Sequence, residues 1–242
     1  VQQSAEKQKI NLAVKENIIT FVGKLNKAKG YDVFGAAILD ILNKYKKWSA
    51  VVIGDEERER LYFEHKNLNI LGFQNHSNVL KVFKKTSISV VCSRWEEPFG
   101  RTSLESSSCG CAVIITKRGG LPETITNGII VEKLNKKNIF NAIEKLIIDK
   151  KLRNNLQKLS LKNFNLTNKN ASNLIDNYRN DLLEKDKKIE KKRLKILHVT
   201  NFNERHNGRL FYNTGKRINN GFIRLKHSVL EFSDRDIVSY YR

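Results

Sequence analysis

The chain has 242 residues and a mass of 28.0 kDa, with 45 Lys and Arg against 25 Asp and Glu, a formal net charge of +20. A hydrophobic share of 40% is enough to build a core, which excludes wholesale disorder, and the length suits one or two domains. No run approaches the roughly 18 uncharged apolar residues of a membrane span, and residues 1–10 carry no signal-peptide pattern. The chain starts at Val1 and contains no Met, so it reads as a fragment or processed piece. Cys92, Cys109 and Cys111 are odd in number and lack CxxC spacing, which argues against a disulfide framework or zinc site. They read as small buried apolar residues, and a cytoplasmic setting fits them.

In chain order, the β-branched run 18–22 ends at Gly23 and predicts a buried strand. From 32 to 48, Val33, Phe34, Ala37, Ile38, Ile41, Leu42 and Tyr45 follow a helical period. A strand is predicted at 50–53, a short charged helix at 57–65, a strand at 69–73 and a helix at 78–85. Strands at 87–92, 112–116 and 128–131 follow, with a helix at 101–109 after the first of them. Strands alternating with helices predict an α/β fold, a Rossmann-like doubly wound parallel sheet. From 134 to about 192 the pattern is helical. The strand-helix-strand rhythm then restarts with 194–200, 212–225 and 228–232, the beginning of a second α/β domain.

The charge decides little. Most of the basic residues are lysines, spread over most of the helices. The one dense run, 185–195, also carries Ile189 and follows Leu182 and Leu183. It reads as a solvated linker helix or as a basic amphipathic helix in peripheral contact with an anionic membrane. No aromatic–basic interleaving or recognition motif supports nucleic acid as the partner.

In open parallel sheets, ligands bind outside the carboxyl ends of the strands. Three predicted strand ends there carry chemistry. After the first strand, Gly23-Lys24 and Lys29-Gly30 place two lysines and two glycines before a helix, an arrangement suited to a diphosphate, although no Walker lysine motif is present. After 87–92 come Ser93, Glu97, Pro98, Phe99, Gly100, Arg101, Thr102 and Glu105. Here a tight loop opens a helix whose free N–H groups can receive anionic oxygens, with two glutamates for hydroxyl partners. After 112–116, Gly119-Gly120-Leu121-Pro122-Glu123 makes a flexible turn in which Glu123 could cap a helix.

These residues, together with Leu104, Glu105 and Gly110, resemble the C-terminal domain of family-4 glycosyltransferases, retaining enzymes of the two-domain GT-B architecture. The resemblance covers about 17–149. It implies that this half holds a nucleotide-sugar donor, with Lys29 on the diphosphate and Lys24 beside it, where the family more often has Arg. It further implies Glu97 at the donor sugar, Glu105 at the ribose, and the backbone around Gly100 and Arg101 at sugar or phosphate, Arg101 standing where an aliphatic residue is usual. The segment 70–73, ending at Phe73, would touch the base. Lys29 and Glu97 become the candidate catalytic pair. Gly23, Lys24, Phe73, Phe99, Gly100, Arg101, Thr102, Glu105 and Gly120 are the other candidate donor-binding residues. The implied chemistry is transfer to a glycan or lipid-linked acceptor without a metal or other cofactor, in bacterial surface polysaccharide or lipopolysaccharide synthesis.

The tail resembles the first strand-helix-strand of a glycosyltransferase N-terminal domain, with His198 and His206 as residues of an acceptor cleft or as ordinary histidines. The expected organisation is therefore a donor domain at 1–165, a basic helical linker at 166–193 and a truncated second domain at 194–242. The alternatives are a non-catalytic nucleotide-sugar-binding or scaffold module and, behind it, a basic nucleic-acid-binding protein. Glycosidase-type use of Glu97 and Glu105 fits poorly, because Glu105 is on a helix that should face a nucleotide.

Overall fold

A computed structural model describes residues 10–186, 192–200 and 214–233. Contacts divide the chain into two compact units, 1–176 and 177–242.

The first unit is built on a six-stranded sheet, every neighbouring pair parallel, in the order β3-β2-β1-β4-β5-β6. The strands are β1 (Glu16–Val22), β2 (Ser49–Ile53), β3 (Leu68–Ile70), β4 (Thr86–Val91), β5 (Ala112–Thr116) and β6 (Gly128–Val131). The helices are α1 (Tyr31–Lys44), α2 (His76–Lys85), α3 (Arg101–Ser108), α4 (Lys136–Ile148) and α5 (Lys150–Lys162), then α6 (Asn168–Asp186), within which the division between the units falls. The predicted Rossmann-like α/β class is the one observed, with the strand order of a doubly wound dinucleotide fold.

Both faces of the sheet are covered, so the central strands read as continuous apolar runs rather than alternating ones. All five residues of β5 are buried. Ile114 packs with Phe34, Ile38 and Ile41 of α1 and Ile139 and Ile143 of α4. Its neighbours Val113 and Ile115 point the other way, into a cluster with Val79 and Phe83 of α2. The period of two along the strand thus divides the core into two layers.

The predicted charged helix at 57–65 is absent: this stretch is irregular. Its side chains have other work. Glu56 accepts a hydrogen bond from Asn26 Nδ2 at 2.9 Å and Glu59 one from the Lys27 N–H at 2.7 Å, tying the segment to the loop after β1. Phe63 lies edge-on to Tyr31, their ring centroids 5.4 Å apart, in a slot at Gly35 where a β-carbon would come within 2.1 Å of the phenyl ring. Helix α1 ends at Lys44, short of the predicted 48, because the chain turns so that Trp48 can be buried.

The second unit contains β7 (Lys195–Thr200), α7 (Thr214–Arg224) and β8 (Ser228–Ser233), the two strands parallel and in register from Lys195 with Ser228 to Thr200 with Ser233. Buried Asn219 donates to Glu231 and bonds His198 Nδ1 at 3.1 Å, so His198 belongs to a polar network inside this unit. His206 and residues 187–191 of the basic run 185–195 lie outside the described residues. Among the described residues no helix is long and apolar enough to cross a membrane.

Candidate functional site

The strand order reverses between β1 and β4, whose carboxyl ends therefore splay and leave a crevice. A cavity of about 310 Å³ occupies it. Its walls come from the end of β1 through Gly23, from Val91 to Ser93 after β4, from Glu97 to Thr102, and from Lys29.

Two glycines make this geometry. Gly30 caps the N-terminus of α1 with φ 74°, and a β-carbon there would sit 1.9 Å from the Cys92 carbonyl oxygen. The loop after β1 can thus lie directly on the loop after β4, an approach that also lets the Arg94 and Trp95 N–H groups donate to the Ala28 carbonyl. Gly100 caps α3 with φ 100° and offers no capping side chain. The first N–H groups of α3, at Arg101 and Thr102, have no intrahelical acceptor and border the cavity.

Lys29 and Glu97 form an ion pair, the lysine side chain about one-third exposed (32%) and the carboxylate 11%. Glu96 fixes the backbone beneath Glu97. Its carboxylate accepts from Arg118 Nη1 at 2.9 Å and from the Gly119 N–H at 2.5 Å, while the Gly120 N–H donates to the Glu97 carbonyl at 2.7 Å. Arg118, followed by the Gly119 N–H, holds the Glu96 carboxyl below the usual range. On the other side, Asp32 takes a two-point contact from Arg94 at 2.6 and 2.7 Å. Burial alone would raise the Asp32 pKa, but the hydrogen bond and charge of Arg94 bring it down.

Of the residues expected from sequence, Gly23, Lys29, Glu97, Phe99, Gly100, Arg101 and Thr102 share the cavity wall. The others do not reach it. Lys24 is exposed and acts electrostatically on Glu56. Phe73, past the end of β3, is 76% exposed. Gly120 lies behind the wall, close against Pro98 and Phe99. Glu105, 9% exposed, lies one turn into α3, where a single oxygen meets Arg101 Nη2 and His76 Nε2, each at 3.1 Å.

Sequence reasoning missed His76. It opens α2 directly after the capping residue Asn75, a position that shows in sequence, but its pairing with Glu105 spans 29 residues and does not. Glu123 is exposed in the turn Leu121–Thr124 and makes no capping hydrogen bond among the described residues. Among the described residues no cluster of His, Cys, Asp and Glu is arranged to hold a metal ion. The sequence contains an Asp-x-Asp triplet, Asp234-Arg235-Asp236, which lies outside the described residues.

A family model described as Glycosyl transferases group 1 matches residues 2–162. The chain belongs to this family. A D-inositol 3-phosphate glycosyltransferase from Corynebacterium jeikeium is 27% identical over 164 residues, covering 61% of this chain and 39% of that protein. Spore coat protein SA from Bacillus subtilis is 27% identical over 178 residues, 66% of this chain and 47% of the relative. The chain thus spans less than half the length of these curated relatives. Among solved structures, the C-terminal domain of the group 1 glycosyltransferase LpcC from Francisella tularensis is 31% identical, with a TM-score of 0.55. That match covers 60% of this chain and 82% of that domain. HepE from Anabaena, solved with UDP-glucose, shares the fold at 22% identity and a TM-score of 0.52, over 68% of this chain and 50% of its own. The GT-B glycosyltransferase fold is therefore the one that places this group 1 chain's cavity at the β1/β4 switch point.

Proposed function

We propose that the first unit is the donor-binding half of a retaining GT-B glycosyltransferase, which takes the sugar of a nucleotide-diphosphate donor to a glycan or lipid-linked acceptor. The observation that carries this reading is the cavity between β1 and β4, where Lys29, Glu97 and the uncapped start of α3 converge. HepE, solved with UDP-glucose, supports a nucleotide-sugar donor, and WaaG, a glycosyltransferase involved in lipopolysaccharide biosynthesis that shares the fold at 16% identity and a TM-score of 0.54, supports surface polysaccharide synthesis.

In this reading the bond from the sugar's anomeric carbon to the diphosphate breaks as a bond to the acceptor oxygen forms, and the acceptor hydroxyl's proton passes to the departing phosphate oxygen. The leaving diphosphate gathers negative charge, which Lys29 and the α3 N–H groups stabilise because they are already in place. Glu97 orients the sugar hydroxyls. It is ion-paired with Lys29, so a diphosphate would compete for that lysine. Glu105 takes the ribose, and its contacts with His76 and Arg101 fix the carboxylate for two hydroxyls. Lys24 and Phe73, both exposed, would close on diphosphate and base, and Gly120 supports the sugar loop from behind.

We assign the region around 166–193 to a connector and 194–242 to the start of a second glycosyltransferase domain. The parallel β7-α7-β8 unit supports this assignment. Thermal unfolding with UDP-, GDP- and ADP-sugars tests the donor reading. A ligand at about 100 times its Kd adds about 2.7 kcal/mol, a shift of several degrees. One sugar nucleotide should raise the melting temperature and the mismatched bases should not. No shift with any of them would count against the reading.

A further inference from the structure

At the opposite, amino-terminal end of the same sheet lies a second cleft, of about 480 Å³, that the donor site does not use. Its lining holds Lys15, Lys150 and Arg153 and no carboxylate. The nearest acids along the chain are committed elsewhere: Glu16 pairs with Lys85 at 3.2 Å, and Asp149 accepts the Leu152 N–H at 2.8 Å.

Arg153 is the unusual member. It is only 7% exposed, and a guanidinium stays charged at any physiological pH, so a buried one ordinarily faces a carboxylate. Here it faces none. Its Nη1 donates to the last carbonyls of α4, Leu146 at 2.6 Å and Ile147 at 3.2 Å, and its plane lies over the Trp48 ring, 5.1 Å from the centroid. That accounts for one nitrogen as a helix cap. Among the described residues Nε and Nη2 have no hydrogen-bond partner, and the side chain borders the cleft. Lys15 is similarly placed, its Nζ held by the Phe83 and Cys109 carbonyls at 2.9 and 2.8 Å without an acid. Two partly buried cations held in place by carbonyls, a third exposed on the rim at Lys150, and an amide donor at Asn154 surround a polar space large enough for a small ligand.

We propose that this cleft is an anion site for a phosphate group, gripped through the free edge of the Arg153 guanidinium. A guanidinium matches phosphate oxygens two at a time, which is the geometry its unused Nε and Nη2 present. The phosphate would belong to a soluble phosphate ester or to a lipid headgroup.

Amide NMR of the whole chain with inorganic phosphate, in the wild type and in Lys29→Ala, separates this site from the donor cavity. Saturable shifts at Lys15, Asn154 and Gln157 are expected in both. Because Arg153→Gln removes a helix cap and can unfold the chain, the deciding variant is Asn154→Glu. It places an acid at an exposed rim position and should weaken phosphate binding at these amides at least tenfold while leaving the spectrum folded. Sedimentation with vesicles of phosphatidylglycerol or phosphatidylcholine identifies the source. Binding to the anionic vesicles alone, lost in Asn154→Glu, assigns a lipid headgroup; phosphate binding without vesicle binding assigns a soluble ester. No saturable shift at these amides, or shifts that Asn154→Glu leaves unchanged, would overturn the proposal, whatever the donor cavity binds.

Discussion

At the scale of single residues, the three cysteines show how burial sets chemistry. All three are free and fully buried by solvent exposure. Burial pushes the Cys92 and Cys109 thiols up to about 12, and raises Cys111 as well. Since the thiolate is the nucleophile, none should react with a disulfide reagent at pH 8 in the folded chain, and all three should react in guanidinium. A thiol titrating rapidly in the native protein would contradict this packing. Gly30 makes the complementary point about backbone. Its positive φ and the Cys92 oxygen 1.9 Å from a would-be β-carbon leave no room for a side chain. Gly30→Ala should therefore destabilise the chain by at least about 2 kcal/mol in denaturant unfolding. A near-neutral result would show that the two loops are not held against each other.

At the scale of elements, strands were the readable part. Runs such as Ala112–Thr116 and Gly128–Val131 are β-branched, short and bounded by turn residues, and the structure gives them the predicted limits. The stretch 57–65 was misread as a helix because its charges suit one, whereas Glu56, Glu59 and Phe63 are spent on partners far along the chain. Local pattern carries no trace of such partners. The site divides in the same way. Strand-end residues such as Lys29, Glu97 and Gly100 were legible because topology puts strand ends together. The His76–Glu105 contact and the Arg153 cleft depend on which helices pack side by side, and were not.

The Glu96 clamp between the loops after β4 and β5 gives a pH prediction at this scale. Its folded pKa is depressed, so the clamp is fully formed above the unfolded carboxylate value of about 4.3 and is lost as pH falls through the lower folded value. The Gly119 amide should report a titration with its midpoint below about 4.3, and Glu96→Gln should abolish it. A midpoint at or above the ordinary carboxylate value would mean the clamp does not form.

At the scale of the whole molecule, the net charge of +20 reads differently once the fold is known. Several lysines and arginines are used inside the first unit, as caps, ion pairs and loop ties, among them Lys15, Lys29, Arg94, Arg118 and Arg153. The first unit has its own two-layered core and a complete six-stranded sheet, so it should bind a donor without further chain. The described part of the second unit is the end of α6, two strands and one further helix.

The most direct measurement of the central claim is calorimetric titration of the chain with UDP, GDP and ADP, repeated on Lys29→Ala and Glu105→Ala. One of the three should bind with micromolar affinity. Loss of the Lys29 charge and of the buried Glu105 carboxylate should each weaken it by at least tenfold, a difference of about 1.4 kcal/mol. A folded chain that binds none of them, or binds one equally well in both variants, would contradict a donor site between β1 and β4.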